Sequence, residues 1–293
     1  MADRPTLDTV AKAAGVSRMT VSNAYNRPDQ LSAATRERVL AVADEMGYGG
    51  PDPAGRSLRR GRSSTIGVLL TERLAYAFTD PGLVSMLSGI AAELGAAGQS
   101  LLLVPSEAAD VGDVVRGALV DGFIVCSMAE TDEAVQAVLG RRLPLVTLGH
   151  PRLPDVPFIG VDNARAASRV AEHLLELGHR RFGVLDLPGR DPDDTEHVDV
   201  PVRIGIRERT EGFRRTVAKV PRTSVTVVAT GVHTHDEGLR RARELLAVPA
   251  SRRPTAVFAV TDVLALATYE VARELGLAIP DDLSVVGFDD IEA

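Results

Sequence analysis

The sequence predicts a multidomain chain. A small all-α head covers residues 1–48, a linker with a short hinge helix covers 49–62, and an α/β portion follows as two doubly wound parallel-sheet lobes, 63–162 and 163–293. Three observations predict this. The stretch TLDTVAKAAGVSRMTVSNAYN sets two short helical patterns around a Gly-Val-Ser turn. From residue 65, short β-branched or leucine runs alternate with longer amphipathic stretches. The alternation restarts after Asp162-Asn163, so there are two series and a cleft between them.

In the head, Thr6 caps a first helix with Leu7, Val10, Ala11 and Ala14 on one face, and Gly15 supplies the positive φ that ends it. Ser17 starts a second helix that turns Val21 and Ala24 inward and leaves Arg18, Met19, Ser22 and Asn23 outside. This is the spacing of a helix-turn-helix, whose second helix reads base edges in a major groove. Two packed helices with a glycine turn also occur in ordinary bundles, so the third helix matters. Ser32 caps it, Ala33 to Met46 carries Val39, Leu40, Ala43 and Met46 on one buried face, and Gly47 stops it. After the breakers Gly49-Gly50-Pro51, the pair Asp52-Pro53 opens a short basic helix to Arg60, with Arg56, Arg59 and Arg60 around Leu58.

In the first lobe the expected strands are Thr65 to Leu70, Ser100 to Val104, Gly122 to Cys126, Leu145 to Leu148 and Phe158 to Val161. Helices are expected at Leu83 to Ala97 and Glu130 to Arg141. The second lobe is expected to hold strands Arg181 to Leu187, Val225 to Val228, Ala256 to Val260 and Ser284 to Phe288. Its helices are expected at Ala164 to Leu177, Glu208 to Lys219, Asp236 to Leu246 and Asp262 to Leu275.

Charge separates the parts: residues 1–62 carry a net +3 and the remainder a net −10. A basic head suits phosphates, and an acidic remainder is repelled by them. The single cysteine, Cys126, excludes an internal disulfide and a cysteine-based metal cluster. No signal core or membrane-length apolar run appears, and a cytoplasmic location is expected. No cofactor or metal is expected: TERLAYAFTDPG after the first strand is not a phosphate-binding glycine loop. The alternative class is a hydrolase or sugar-modifying enzyme using acidic cleft residues, against which stands the lack of a G-x-S-x-G elbow. The long acidic loop Gly189 to Gly205 is expected to fold over the cleft or move, with Asp191, Asp193, Asp194, Glu196 and His197 solvated rather than metal-bound. His179 is expected to complement the C-terminus of the preceding helix.

The segments TLDTVAKAAGVS, TVSNAYN, LSAATRERVLAVADEMGY and GRSLRRGRSSTIGVLL resemble the lactose-repressor family of bacterial transcription regulators, and the likeness runs over essentially the whole chain. The resemblance implies a homodimeric regulator, a repressor, that binds double-stranded operator DNA. Its implied DNA-binding residues are Thr6, Ser17, Arg18, Met19, Thr20, Ser22, Asn23, Asn26, Arg56, Leu58 and Arg59, with Leu58 as the hinge-helix wedge in the minor groove. It also implies lobes of the periplasmic-binding-protein type around a small effector, sugar-like or nucleoside-like. The implied effector-binding residues are Asp162, Arg209 at a helix start, Thr261, Asp262 and Asp289, with Tyr76 and Phe78 as the front wall. Carboxylates and an arginine fork suit hydroxyl groups. Asp162 and Asp262 have a second reading as helix caps, and Tyr76 and Phe78 as filling for the base of the lobe.

The sequence departs from the family at Asn23, where many members carry arginine, which favours guanine where asparagine favours adenine. It departs also in the linker Gly49-Gly50-Pro51-Asp52 and at Gly55, where glycine lowers helicity by about 1 kcal/mol. Family members continue past GFDD with a return crossover, so the C-terminal part is expected to be truncated. A fragment of that kind is expected to be poorly soluble and to dimerise weakly.

Overall fold

The computed structural model describes residues 5–51, 61–71, 74–106, 110–188 and 203–292. The chain divides into two compact units, Met1–Ser64 and Thr65–Ala293.

The first unit holds helices α1 (Leu7–Ala14), α2 (Arg18–Asn26) and α3 (Ala33–Glu45), with a 3₁₀ turn at Pro28–Gln30. Local chemistry sets each end. The Thr6 hydroxyl accepts from the Thr9 amide at 3.3 Å while Thr9 Oγ1 accepts from the Thr6 amide at 2.8 Å, a closed capping box. Gly15 turns the chain at φ 66°, a conformation side chains resist, and its N–H reaches back to the Ala11 carbonyl. Ser17 and Ser32 cap α2 and α3. Val10, Ala11, Ala14, Val21, Ala24, Val39 and Ala43 form the core. Met46, expected inside, is exposed because α3 ends at Glu45 and the cap carries Met46 off the buried face.

The second unit contains two all-parallel sheets. The first has β1 (Thr65–Leu70), β2 (Ser100–Pro105), β3 (Gly122–Cys126), β4 (Leu145–Leu148) and β5 (Phe158–Ile159) in the order β2-β1-β3-β4-β5. Helices α4 (Pro81–Ala96), α5 (Val111–Gly117) and α6 (Glu133–Arg141) flank it. Alternate residues of β1 serve opposite faces: Val68 and Leu70 join the cluster with Leu87 and Cys126, and Leu69 joins Val115, Phe123, Val125 and Val135. The second sheet has β6 (Arg181–Asp186), β7 (Ser224–Ala229), β8 (Ala256–Ala259) and β9 (Ser284–Val286) in the order β7-β6-β8-β9. Around it lie α7 (Asn163–Glu176), α8 (Ile204–Val217), α9 (His235–Leu246) and α10 (Asp262–Glu274). The Phe213 ring stacks on Phe258 at 4.9 Å and meets Phe182 edge-on at 5.7 Å in its core.

Three boundaries differ from the sequence reading in ways that affect the site. Strand β5 stops at Ile159 and β9 at Val286, two residues before the expected ends, because Gly160 and Gly287 release the chain from pairing. Helix α8 begins at Ile204 and not Glu208. Ile206 packs on the second core, so burial overrides the low propensity of Gly205. Helix α5, short and glycine-containing, was not among the expected elements. Helices α7 and α8 pack closely at Gly212, where any Cβ would overlap the Ala164 carbonyl.

Candidate functional site

On the head, α2 presents Arg18 and Met19, the latter 66% exposed, at its first turn. Arg18 forms a surface ion pair with Asp8 at 3.0 Å. Thr6 and Ser17 are N-caps, and Thr20 shares a hydroxyl contact with Ser17 at 2.9 Å. Asn23 is half-buried, 3.5 Å from Gln30 Oε1, and Asn26 donates to the Ser22 carbonyl at 2.9 Å. Ser22, expected outside, is buried: one 100° step from Val21, it falls within the arc that α2 packs inward. Arg56, Leu58, Arg59 and the short helix expected around them fall outside the described residues, as does 189–202 of the acidic loop.

The second unit contains a cleft of about 690 Å³ between its two sheets. Its walls come from the carboxyl ends of strands, where ligands of parallel sheets collect: Thr71 after β1, Ser127 after β3, His150 after β4, Thr261 after β8 and Asp289 after β9. Arg209, in the second turn of α8 and not at its start, is the central cation. Its Nε donates to Asn163 Oδ1 at 3.0 Å, and its Nη1 donates to the Val260 carbonyl at 2.7 Å and Asp289 Oδ1 at 2.8 Å. The Phe288 ring covers one guanidinium face at 3.7 Å. Among the described residues, Nη2 has no protein partner, so one edge of the fork is left for a ligand. Burial lowers Arg209 from the usual guanidinium value, and Asp289 opposes that shift. Burial raises the Asp289 carboxyl, Arg209 pulls it back, and the charge of Asp262 adds to the rise.

Asp162, Asp262 and Phe78 do not line the cleft. Asp162 is exposed and caps α7 by accepting from the Arg165 amide at 3.0 Å, so its carboxylate is turned to the helix. The next residue, Asn163, faces inward instead; its amide nitrogen donates to Glu208 Oε2 at 3.3 Å. Asp262 is the first residue of α10, behind the cap Thr261, and accepts from the Ile291 amide at 3.1 Å. It therefore fastens the segment after β9, and the capping alternative fails as well. Phe78 is 65% exposed, the outcome for an aromatic in a one-turn 3₁₀ segment whose buried residue is Ala77.

Tyr76 does line the cleft, beside two residues the sequence reading missed, Asp80 and His233. Its hydroxyl lies 2.8 Å from Asp80 Oδ2 and 2.5 Å from His233 Nδ1, and His233 Nε2 lies 2.9 Å from Thr261 Oγ1. Burial opposes ionisation of Asp80, yet bonds from His233, the Leu83 amide and Tyr76 outweigh it and hold the carboxyl below its ordinary range. No local pattern marks His233, because its partners Tyr76 and Thr261 lie 157 and 28 residues away. A second histidine, His150, stands 3.7 Å from Glu208, and burial pushes its pKa down. Cys126 also borders the cleft, but burial pushes its thiol up to about 12, which removes it as a nucleophile. His179 is not a charged helix terminator. Its ring nitrogens meet Thr255 Oγ1 at 2.9 Å and Ser284 Oγ at 3.0 Å, and burial favours the neutral form. Among the described residues there is no metal-binding cluster and no helix long and apolar enough to cross a membrane.

A helix-turn-helix head joined to a two-lobed parallel-sheet unit with a polar cleft defines a DNA-binding regulator of the ligand-responsive kind. The comparisons agree. Residues 6–50 match the model of bacterial regulatory proteins of the lacI family, and residues 171–293 match a periplasmic binding protein-like domain. An HTH-type transcriptional regulator of Mycobacterium tuberculosis is 40% identical over 98% of this chain and 83% of its own length. The HTH-type transcriptional repressor CytR of Escherichia coli is 31% identical over 98% and 80%. Among solved structures, the regulator CelR in complex with cellobiose shares 29% identity and a TM-score of 0.61 over 98% of this chain and 84% of that one. The lac repressor dimer bound to operator and an anti-inducer shares 25% identity and a TM-score of 0.74 over 99% and 84%. The chain belongs to the lacI family of bacterial regulatory proteins and is a DNA-binding transcriptional regulator.

Proposed function

We propose that the chain is a homodimeric repressor whose operator affinity is set by an uncharged, polyhydroxylated effector, a sugar or nucleoside, held between the lobes. The observation that carries this reading is the half-used Arg209–Asp289 pair in the cleft, with Arg209 Nη2 and Asp289 Oδ2 lacking protein partners among the described residues. A donor and an acceptor side by side match two neighbouring hydroxyls. The pair also neutralises itself, which suits an effector without charge. Asp80 is already committed to Tyr76 and His233, so it is not left as a general acid or base. That supports a binding cleft over an enzyme active site. CelR, bound to cellobiose, and the lac repressor, bound to an anti-inducer, are relatives of similar fold that hold small ligands.

In this reading Arg18, Met19 and Asn23 meet base edges, while Thr6, Ser17, Thr20 and Asn26 set the pose of the reading helix. Ser22 is withdrawn because it is buried. Arg56 and Arg59 meet phosphates and Leu58 wedges a base step, a proposal that rests on the sequence. The test is operator binding by fluorescence anisotropy, using DNA from upstream of the gene, with and without a panel of mono- and disaccharides and nucleosides. At least one neutral polyhydroxylated compound is expected to change affinity tenfold or more. A response confined to anions, or none across the panel, overturns the effector assignment.

A further inference from the structure

Among the described contacts, the side-chain chain Asp80, Tyr76, His233 and Thr261 runs from one lobe to the other. Asp80 and Tyr76 stand beside α4 in the first lobe, and His233 and Thr261 follow β7 and β8 in the second. The His233 and Asp80 side chains are 8% and 12% exposed. One assignment of protons satisfies the four groups. His233 Nδ1 donates across the gap, shared between Tyr76 Oη at 2.5 Å and Asp80 Oδ2 at 3.0 Å; Tyr76 Oη donates in turn to Asp80 Oδ2 at 2.8 Å, and His233 Nε2 accepts from the Thr261 hydroxyl at 2.9 Å. Asp80 Oδ1 is meanwhile fixed by the Leu83 amide at 2.9 Å as the cap of α4. The far end is equally fixed, since Thr261 is itself 3% exposed and opens α10. Each terminus of the chain is thus tied to the frame of its own lobe, and the only break along it is the gap between lobes.

We propose that Asp80, Tyr76, His233 and Thr261 form an interlobe clasp that holds the cleft closed before any effector binds. The proposal rests on the reading of the cleft as an effector site and assigns its regulation: the clasp sets the resting ratio of closed to open lobes on which an effector acts. The buried Asp80 carboxylate and Tyr76 hydroxyl share one donor from the opposite lobe, His233, and lose it when the lobes part; water replaces it only in the open form. Closure therefore carries a bias that does not depend on ligand. An effector needs different affinities for the two forms to shift that ratio.

The test uses the full chain with spin labels at Glu130→Cys in the first lobe and Ser251→Cys in the second, both exposed positions, and pulsed-resonance distances without effector or DNA. Tyr76→Phe, which removes one hydroxyl and keeps the ring, and His233→Ala are each expected to move the distribution to longer distances. The closed-to-open ratio is expected to fall about tenfold, as for loss of one charge-assisted hydrogen bond. His233→Asn, which keeps a donor near Nδ1, is expected to fall between. Unchanged distances in both Tyr76→Phe and His233→Ala overturn the clasp. Failure of the effector reading is separable: the lobes would still open in the variants while no sugar or nucleoside altered operator binding.

Discussion

Removing the Asp289 carboxylate tests how the cleft charge is balanced. In Asp289→Ala, Arg209 is not stranded, because Nη1 keeps the Val260 carbonyl at 2.7 Å, Nε keeps Asn163 at 3.0 Å, and Phe288 still covers the cation. The loss is therefore one charge-assisted bond, about 1.5–3 kcal/mol, and not the 3–5 kcal/mol of an orphaned buried charge. Solvent reaches a quarter of the Asp289 side chain, which places the expected loss near the lower end, about 2 kcal/mol. For a domain of this size the melting temperature is expected to fall by about 4–8 °C. Backbone strain supplies an internal control. Asp289 sits at φ 115°, so Asp289→Gly loses the same acceptor but relieves the strain, and is expected to melt above Asp289→Ala. Both variants are expected to weaken the effector by about 10- to 100-fold in calorimetry, since the hydroxyl acceptor is gone in each. An Asp289→Ala variant as stable as the parent, or equal melting of the two variants, would refute the balance described.

Phe213→Ala, which empties a site between Phe182 and Phe258, is expected to cost about 3–5 kcal/mol in denaturant unfolding of the second unit; a loss under 1 kcal/mol would show that the aromatic stack is not its core. Arg18→Ala is expected to weaken operator binding by about 1–3 kcal/mol per half-site and relax one base position, with stability changed by at most about 1 kcal/mol, because its pair with Asp8 is exposed; equal loss on random DNA would reassign it to a phosphate contact. His179 titrates lower in the fold than unfolded, so the unfolded chain binds the proton first. Stability is expected to fall as pH drops through the unfolded histidine range and to level off below the folded value, and His179→Gln is expected to flatten that slope in melts between pH 7.5 and 5.

Features decided within one turn of chain were legible in the sequence. The caps at Thr6, Ser17 and Ser32 and the left-handed turns at Gly15 and Gly47 need only neighbouring residues, and the structure has each of them. The nine strands among the described residues were legible as short β-branched or leucine runs, although their ends were not. What failed was rotation about an axis. Ser22 was misplaced by one helical step, Met46 lies one residue beyond the end of α3, and the inward role assigned to Asp162 belongs to Asn163, because the cap geometry that ties Asp162 to Arg165 aims the following residue into the cleft. Asp80-Pro81 reads locally only as a helix start, and the pairing of Asp80 with His233 has no signal until the end of β7 and the approach to α4 are brought together across the lobes.

The placement of these groups limits how an effector can act. Moving a two-state equilibrium from 1:99 to 99:1 takes about 10⁴-fold preference for one state, about 5.5 kcal/mol. A ligand bonded only to Arg209 and Asp289 would touch the second lobe alone, and would bind the open and closed forms nearly equally. The preference has to come from groups that converge only on closure. Ser127 and His150 supply these from the first sheet, Asn163 and Arg209 from the second lobe, and a hydrogen bond from each side contributes about 0.5–1.5 kcal/mol. Several must form together to approach the required difference. A resting bias supplied by Asp80, Tyr76 and His233 reduces that requirement if the effector favours closure, and raises it if the effector favours opening. The sign of the operator response in clasp variants therefore separates a closing effector from an opening one: after the clasp is cut, a closing effector is needed at higher concentration and an opening effector at lower.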